Sequence, residues 1–536
     1  MSLARNTAVI GGLTLISRVL GFARDLVLAA ALGAGPIADA FFAALRFPNL
    51  FRRLFAEGAF SQAFVPVYAK TLASDGAEAA DRMAREALSI LLVVTTALSA
   101  LAIVFMPWIN RVLFAGYVDD PQTFGLATLL TQLTMPYLVA MSVATLFSGV
   151  LNARGRFFVA AAAPILLNLS LLVGVWPFRD NPEQAAISAA IAVSVSGLLQ
   201  AIWVWLGAKR AGAQAAPTAP RITPNVKRIV ALAVPGAIAG GALQINVMVS
   251  QALASFEAGA ITYLNVADRL YQLPLGLIGI AVGVAMLPRL SRLVQENDTV
   301  GAKGALDEAV ALAMAFTLPA AAAILAIPAF LIDGLFARGA FTSEDARNVG
   351  LALFHYGWGV PAFVLAKVYA PAFFAREDTQ APMRYAIISM ALNVAIGAGL
   401  FFGFRALGAP GFPGLAIGTS AAAWVNVLLM IRTLTKRDAY GPTAGAYGRL
   451  LRAGAATTVL FGALFVAGQQ RDALEAVVGS KEAAVALAIF GGGTLYFLCA
   501  FLFRAVTFSE LRAAFRRERG GSDSGAGSAA LPGGPD

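Results

Sequence analysis

The chain has 536 residues, 59% of them hydrophobic and 13% charged, with a formal net charge of +10 and a mean hydropathy of +0.74. That apolar content excludes a soluble protein, because polar surface and loops dilute the core of any globular domain. A single cysteine, Cys499, and a single histidine, His355, exclude a disulfide framework, a multi-thiolate metal site and histidine-based catalysis.

Apolar runs of helical length recur along the chain, each able to cross a hydrocarbon layer of about 30 Å at about 1.5 Å per residue. They predict an all-α polytopic membrane protein with fourteen spans, near 7–32, 37–69, 86–114, 123–151, 159–178, 185–207, 228–255, 260–288, 305–337, 346–374, 383–403, 411–434, 447–468 and 482–504. The start, with Arg5 and no small-residue cleavage pattern, reads as a retained first span. Sorted by this topology, most lysines and arginines fall on the side of both termini. The opposite loops hold only Arg111, Arg179, Arg338, Arg347, Arg405, Arg471 and Lys481. Both termini are therefore expected in the cytoplasm. Basic residues scattered through short loops also argue against nucleic acid as a partner.

The first two spans carry charges that lipid alone would not tolerate. In the first, Ser17, Gly21 and Arg24 follow i, i+4, i+7 spacing and share a face, with Arg18 and Asp25 adjoining. In the second, Asp39, Arg46, Arg53 and Glu57 form a stripe, with Arg52 beside it and Pro48 expected to bend the helix. Further on, Ala208 to Arg228 is polar and basic and holds Pro217, Pro220 and Pro224, the composition of an extended linker.

The chain then repeats itself. "LNARGRFFVAAAAPILLN", ending at Asn168, aligns with "FFAREDTQAPMRYAIISMALN", ending at Asn393; "VLFAG" ending at Gly116 aligns with "GLFARG" ending at Gly339; Pro48 and Pro66 pair with Pro274 and Pro288. Six spans per copy is an even number, so the copies are parallel and enclose a central cavity. The expected organisation is an N-lobe at 1–207, a cytoplasmic linker at 208–227, a C-lobe at 228–440, two extra spans within 441–510 and a tail at 511–536. That tail holds too little apolar surface to order itself.

The eighth span begins "NVADRLYQLPLG", which sets Asp268 and Arg269 near the depth of Phe42 and Ala43 by the repeat. Read as structure alone, Arg24 pairs with Asp25 or Asp39 and Arg269 with Asp268. Arg18, Arg46, Arg52 and Arg53 are then left in excess of the acids. An anionic ligand accounts for that excess, since the planar guanidinium offers phosphate two charge-assisted bonds. Lys367, alone in the tenth span, fits snorkelling or structural pairing as well as it fits ligand contact. No phosphate-cradling Gly-x-x-x-x-Gly-Lys-Ser/Thr loop, acid pair, triad or metal cluster is present, so a transporter is expected rather than an enzyme. No cofactor or metal is expected; coupling to the membrane potential or to a cation stays open.

"SRVLGFARD" from Ser17, "ADAFFAALRFPNLFRRLFAEGAFSQAFVPVY" from Ala38, and "ADRLYQLPLG" with its following "LPRLS" closely resemble the MurJ (MviN) lipid II flippases, through essentially all fourteen spans. The resemblance implies two six-helix lobes around a cavity. It also implies passage of the undecaprenyl-pyrophosphate-linked peptidoglycan precursor across the bacterial inner membrane, from the cytoplasmic to the periplasmic leaflet, by alternating access. It places pyrophosphate or headgroup contacts on Arg18, Arg24, Arg52 and Arg269, a cavity-lining role on Ser17, and acidic cavity or gate roles on Asp25, Asp39 and Glu57, to which Asp268 is added from the eighth span. Lipid II and membrane lipids are the implied partners, with the cell-wall synthesis machinery a further candidate. One departure concerns sodium, which some members are thought to hold on acids of the seventh and eleventh helices. Here those helices offer Gln244, Asn246 and Asn393.

The two extra spans, with Gly454, Ala455, Gly462, Gly491, Gly492 and Gly493, are expected to form an apolar groove for the polyprenyl tail. The rival readings are a multidrug or other polyprenyl-linked oligosaccharide exporter of the same superfamily, a scaffold and a glycosyltransferase. An arginine-rich cavity repels cationic drugs, a scaffold has no use for buried charge, and no donor-sugar site is visible.

Overall fold

A backbone in lipid has no water to bond, so it must close its own hydrogen bonds, and this sequence does so with helices throughout. The computed structural model describes residues 3–55, 59–214, 216–276, 280–438 and 440–505, and holds no strand among them. The tail expected at 511–536 lies outside the described residues.

The first lobe is built from α1 (Leu3–Leu32), α2 (Pro36–Ala44), α3 (Arg46–Phe55), α4 (Ala59–Ser74), α5 (Gly76–Leu113), α6 (Pro121–Thr134), α7 (Pro136–Ala153), α8 (Phe157–Val175) and α9 (Pro182–Arg210). The second comprises α10 (Pro224–Ala254), α11 (Ala260–Pro274), α12 (Ile280–Gln295), α13 (Thr299–Ala326), α14 (Pro328–Phe336), α15 (Ser343–Gly357), α16 (Val360–Phe374), α17 (Gln380–Ala406) and α18 (Phe412–Asp438). After it come α19 (Ala444–Gln469), α20 (Arg471–Val478) and α21 (Lys481–Leu502). Among the described residues nine helical segments are long and apolar enough to cross a membrane, and α15 with α16, bent by 40°, makes a tenth. The other four expected spans correspond to α1, α2 to α4, α10 and α11 to α12.

Several spans expected to be single helices are broken, and prolines explain where. Pro48 does not bend a continuous helix as expected; the break falls before it, at Leu45, and Pro48 sits in the first turn of α3, where a proline is tolerated. The carbonyl of Ala44, four residues before Pro48, instead accepts from the Thr134 hydroxyl at 3.4 Å. Pro136, Pro328 and Pro361 likewise open α7, α14 and α16. Because the second span breaks at Leu45, Asp39 and Arg46 of the expected stripe lie on different helices, while Glu57 and the side chain of Arg53 lie outside the described residues. Between spans, Asp120 caps α6, and the Thr123 hydroxyl and N–H bonded to it hold its carboxyl below the usual carboxylate range.

The linker is extended, as its prolines require, but it is strapped to the first lobe. Arg154 donates to Ala211 O at 2.9 Å, Gln214 N to Asp81 Oδ2 at 2.9 Å, Thr218 N to Ser89 Oγ at 2.8 Å, and the Thr223 hydroxyl to Glu86 Oε2 at 2.8 Å. Asp81, 3% exposed, also takes Arg154 at 2.5 Å and the Tyr68 hydroxyl at 3.0 Å. The second lobe repeats the device: Asp307, 2% exposed, accepts from Thr443 N at 2.9 Å and from the Tyr440 hydroxyl at 3.1 Å. α10 then packs against α3, α4 and α5 of the first lobe and against α17 of the second.

The last two spans lie on the second lobe, α19 along α13 and α21 along α14 and α19. α20, which the sequence pattern did not foretell, carries Arg471 onto Asp333 at 2.6 Å and Glu475 at 2.7 Å. Lys481 adds a bond to Ala337 O. Gly454, Gly462, Gly491 and Gly493 border open space, whereas Gly492 packs on Leu460 and Leu464.

Asp81→Ala leaves Arg154 beside an emptied site and removes three donors' common acceptor. The expected cost is about 3 kcal/mol or more, read as a clear fall in melting temperature of the detergent-solubilised protein. A variant that melts with the parent removes the clasp from the account.

Candidate functional site

The two lobes meet at the face opposite the linker, and a carboxylate makes the joint. Asp39, in the first turn of α2, is fully buried. Its Oδ2 accepts from Gly259 N at 2.6 Å; its Oδ1 accepts from Thr262 N at 2.8 Å and the Thr262 hydroxyl at 2.6 Å. These donors are the unserved first turn of α11, so one lobe caps a helix of the other with a charge at the positive end of its dipole.

Two repeated glycines close the same joint. Ala340 N donates to Ala30 O at 2.7 Å, and Gly339, at φ +59°, leaves its missing Cβ against the Ala30 carbonyl. Its repeat mate Gly116 donates to Ser255 Oγ at 3.1 Å, with no room for a Cβ against the backbone of Ser255 and Phe256. Each lobe thus ends one helix on the partner lobe's first helix, by backbone contact that any side chain would obstruct.

Below this joint lies a cavity of about 310 Å³ bordered by Arg24, Asp25, Asn49, Tyr137, Gln200 and Arg269, among others. Arg24 donates through Nε and Nη2 to Asp25 Oδ1 at 3.0 and 2.7 Å, and through Nη1 to Asn168 Oδ1 at 2.8 Å. Asn168 in turn donates to Ser17 O at 2.9 Å and faces Gly21. The helical face expected from Ser17, Gly21 and Arg24 is therefore the face held by Asn168. Arg269 reaches across from the other lobe to Asp25 Oδ2 at 3.5 Å, with its side chain 45% exposed. Arg24 is a committed guanidinium; Arg269 is tethered at one nitrogen and keeps donors turned to the cavity.

A smaller adjoining cavity of about 90 Å³ shares Phe42, Leu45, Asn49 and Arg269 and adds Arg46, Gln244 and Asp268. Asp268 is bonded by Gln272, so the pairing of Arg269 with Asp268 is replaced by Arg269 with Asp25. Asp268 and Arg269 are adjacent on a helix and point apart, while Asp25 faces across the lobe boundary. Arg18 is exposed, with its guanidinium against Gly276 of the other lobe, and does not border the larger cavity. Ser17 contributes its carbonyl. Glu57 lies outside the described residues, as do the side chains of Arg52 and Arg53. Lys367 is exposed on α16.

The asparagines are what the sequence reading undervalued. Asn168 entered only as a marker of the repeat, and Asn393 as such a marker and as an amide in place of an acid on the eleventh span. Asn168 fixes Arg24, and Asn393 donates to Asn246 Oδ1 at 3.2 Å and accepts from the Thr419 hydroxyl at 3.3 Å. Each joins its lobe's fifth span to its first, and the signal was an amide at the same place in two apolar helices.

A family model described as "Lipid II flippase MurJ" matches residues 28–485. A "Probable lipid II flippase MurJ" of Rhizobium tropici is 38% identical over 526 residues, covering 97% of this chain and 98% of the relative. Among solved structures, "Lipid II flippase MurJ, inward closed conformation" aligns with a TM-score of 0.75 at 23% identity, over 92% of this chain and 98% of that one. An inward-facing multidrug resistance MATE family transporter of the MOP superfamily aligns at 0.63 and 16% identity, over 78% and 95%. The two structural likenesses bear on the fold.

Gly116→Ala and Gly339→Ala should each pry the joint apart. The expected result is faster labelling of a cysteine placed at Asn265, in a Cys499→Ala background, by a membrane-impermeant thiol reagent added from the face opposite the linker. Labelling rates equal to the parent's would show that the glycines do not hold that face closed.

Proposed function

The chain belongs to the MurJ family of lipid II flippases, and on that premise we propose that it carries the undecaprenyl-pyrophosphate-linked peptidoglycan precursor from the cytoplasmic to the periplasmic leaflet of the inner membrane. The observation that carries this reading is the arrangement of Arg24 and Arg269, from different lobes, about Asp25 in the cavity. A diphosphate entering there would displace the weaker Arg269–Asp25 contact at 3.5 Å and take both donors of a preorganised fork, while Arg24 stays aligned by Asn168. Occupancy thereby couples to the lobe boundary, since Arg269 belongs to one lobe and Asp25 to the other.

The linker face is assigned to the cytoplasm and the Asp39 joint to the periplasm, following the distribution of lysine and arginine. Three of the few cations on the opposite side, Arg338, Arg471 and Lys481, are engaged by Glu482, Asp333 and Glu475, which sharpens that asymmetry. The cycle is read as alternating access: the Asp39 and glycine joint opens as the lobes close together on the linker face. The polyprenyl tail stays in lipid or against α19 and α21, at little hydrophobic cost either way. The amides Gln244, Asn246 and Asn393 offer no carboxylate for a cation, so the membrane potential is the favoured drive.

Arg24→Ala, Arg52→Ala and Arg269→Ala are each expected to abolish growth support at normal protein level, with the lysine variants recovering only part. Depletion should accumulate lipid II in the cytoplasmic leaflet, measured by leaflet-specific accessibility. Normal growth of all three alanine variants would misplace the phosphate site. A cross-link between cysteines at Gly35 and Gly259 should arrest flipping, and full activity with that bond verified would remove alternating access. Cysteines near Asp119 and in the linker should label from opposite sides of the membrane; labelling from one side overturns the topology.

A further inference from the structure

On the linker face of the second lobe, away from the central cavity, lies a cavity of about 510 Å³ between α12, α13, α16 and the end of α18. Lys303, Arg376, Lys436 and Arg437 border it, with Asn297 and Tyr440. Two acids at its edge are already committed. Asp298 caps α13 by accepting from Gly301 N at 2.8 Å, and Asp378 accepts from Ala381 N at 3.0 Å while pairing with Arg437 at 2.7 Å. Lys303, Arg376, Lys436 and Arg437 outnumber the one acid of the lining, Asp298, so its formal charge is positive even with Asp378 beside Arg437.

The internal repeat shows that the two lobes use this place differently. Arg376 is the repeat mate of Arg154, and Lys436 and Arg437 are the mates of Lys209 and Arg210. In the first lobe Ala211 to Gln214 folds in at the corresponding place, and Arg154 is spent on Asp81, Tyr68 and the Ala211 carbonyl. In the second lobe the mate of Asp81, Asp307, is served by Tyr440 and Thr443, and the following chain leaves the space open. Aligned on these two aspartates, Lys303 stands where the first lobe has Ala77. The second lobe thus has an added cation at the edge of its cavity.

Exposed apolar residues flank the mouth. Val300, next to the lining Thr299, is 79% exposed, and Phe374 is 43% exposed. A basic cleft rimmed by apolar side chains at the end of membrane helices is suited to a phosphate held at the headgroup level.

We propose that this cavity is a second phosphate-binding site, separate from the transport cavity, which takes either the headgroup phosphate of an anionic lipid in the linker-side leaflet or a soluble phosphate anion. The inference is independent of what the central cavity carries. It would tie the second lobe to the charge of its leaflet, because Lys303 and Arg376 lie on α13 and beside α16, helices that reach the core of that lobe.

The test uses the full chain in nanodiscs. One arm titrates inorganic pyrophosphate into phosphatidylcholine discs; the other replaces phosphatidylcholine stepwise with phosphatidylglycerol; both follow thermal stabilisation. The double variants Lys303→Glu/Lys436→Glu and, as the milder change, Lys303→Ala/Lys436→Ala are compared with Lys209→Glu at the repeat-related position. The parent and Lys209→Glu should be stabilised, and the double variants should need about tenfold or more probe for the same effect. Stabilisation by phosphatidylglycerol alone assigns the site to a lipid headgroup, and stabilisation by pyrophosphate assigns it to soluble phosphate. A parent that responds to neither probe, or alanine variants that respond like the parent, overturns the site.

Discussion

A carboxylate cannot be buried in a membrane protein without donors, and Asp39 finds all of its donors on the other lobe. That constraint organises the molecule. The three bonds from Gly259 and Thr262 satisfy the ion only while α2 and the start of α11 are in register, so the closed joint is a discrete state rather than a continuum of distances. Charge-assisted bonds to a buried acid are worth about 1.5–3 kcal/mol each, enough to hold one arrangement and small enough for a charged ligand to offset. Without these three bonds Asp39 would need water or another donor in their place.

The charges within the central cavity obey the same rule in a looser form. Arg24 is fully engaged by Asp25 and Asn168, whereas Arg269 reaches Asp25 only at 3.5 Å and keeps nearly half its side chain exposed. One arginine is thus positioned and the other available, and the acid between them spans the lobe boundary. A ligand that competes for Arg269 loosens an inter-lobe contact as it binds. The side that holds and the side that yields are set by Asn168, an uncharged residue whose importance lies in the two helices it joins.

The duplication explains both the symmetry of the joint and the asymmetry of the lobes. Gly116 and Gly339 occupy matching positions and meet the ends of α10 and α1, the matching first helices of the opposite lobes, so a backbone approach was duplicated along with the fold. Asp81 and Asp307 both clasp the chain that leaves their lobe. Yet one clasp includes Arg154, while the other uses Tyr440, whose phenol burial pushes upward from its usual range, and leaves a cationic cleft. Copies that share helices can differ in electrostatics, because a single partner swap redirects a long side chain.

Length, hydropathy and internal repetition by themselves determined the all-α membrane class and the repeated two-lobe architecture, because each follows from local composition or from comparing the chain with itself. The face of Ser17, Gly21 and Arg24 was equally legible, since an unbroken helix keeps its phase. Tertiary structure decided the rest. The break at Leu45 leaves the Ala44 carbonyl to an outside donor, Thr134, which no periodicity reports. Asp39 looked like one member of a stripe and is a cap on another lobe; Arg269 was paired with its sequence neighbour Asp268 and instead meets Asp25; Asn168 looked like a marker and is a positioning residue. Ion pairs and caps are chosen by which groups burial brings within about 3 Å in the right direction, and that choice is made between segments hundreds of residues apart, where the pattern along the chain carries no distance.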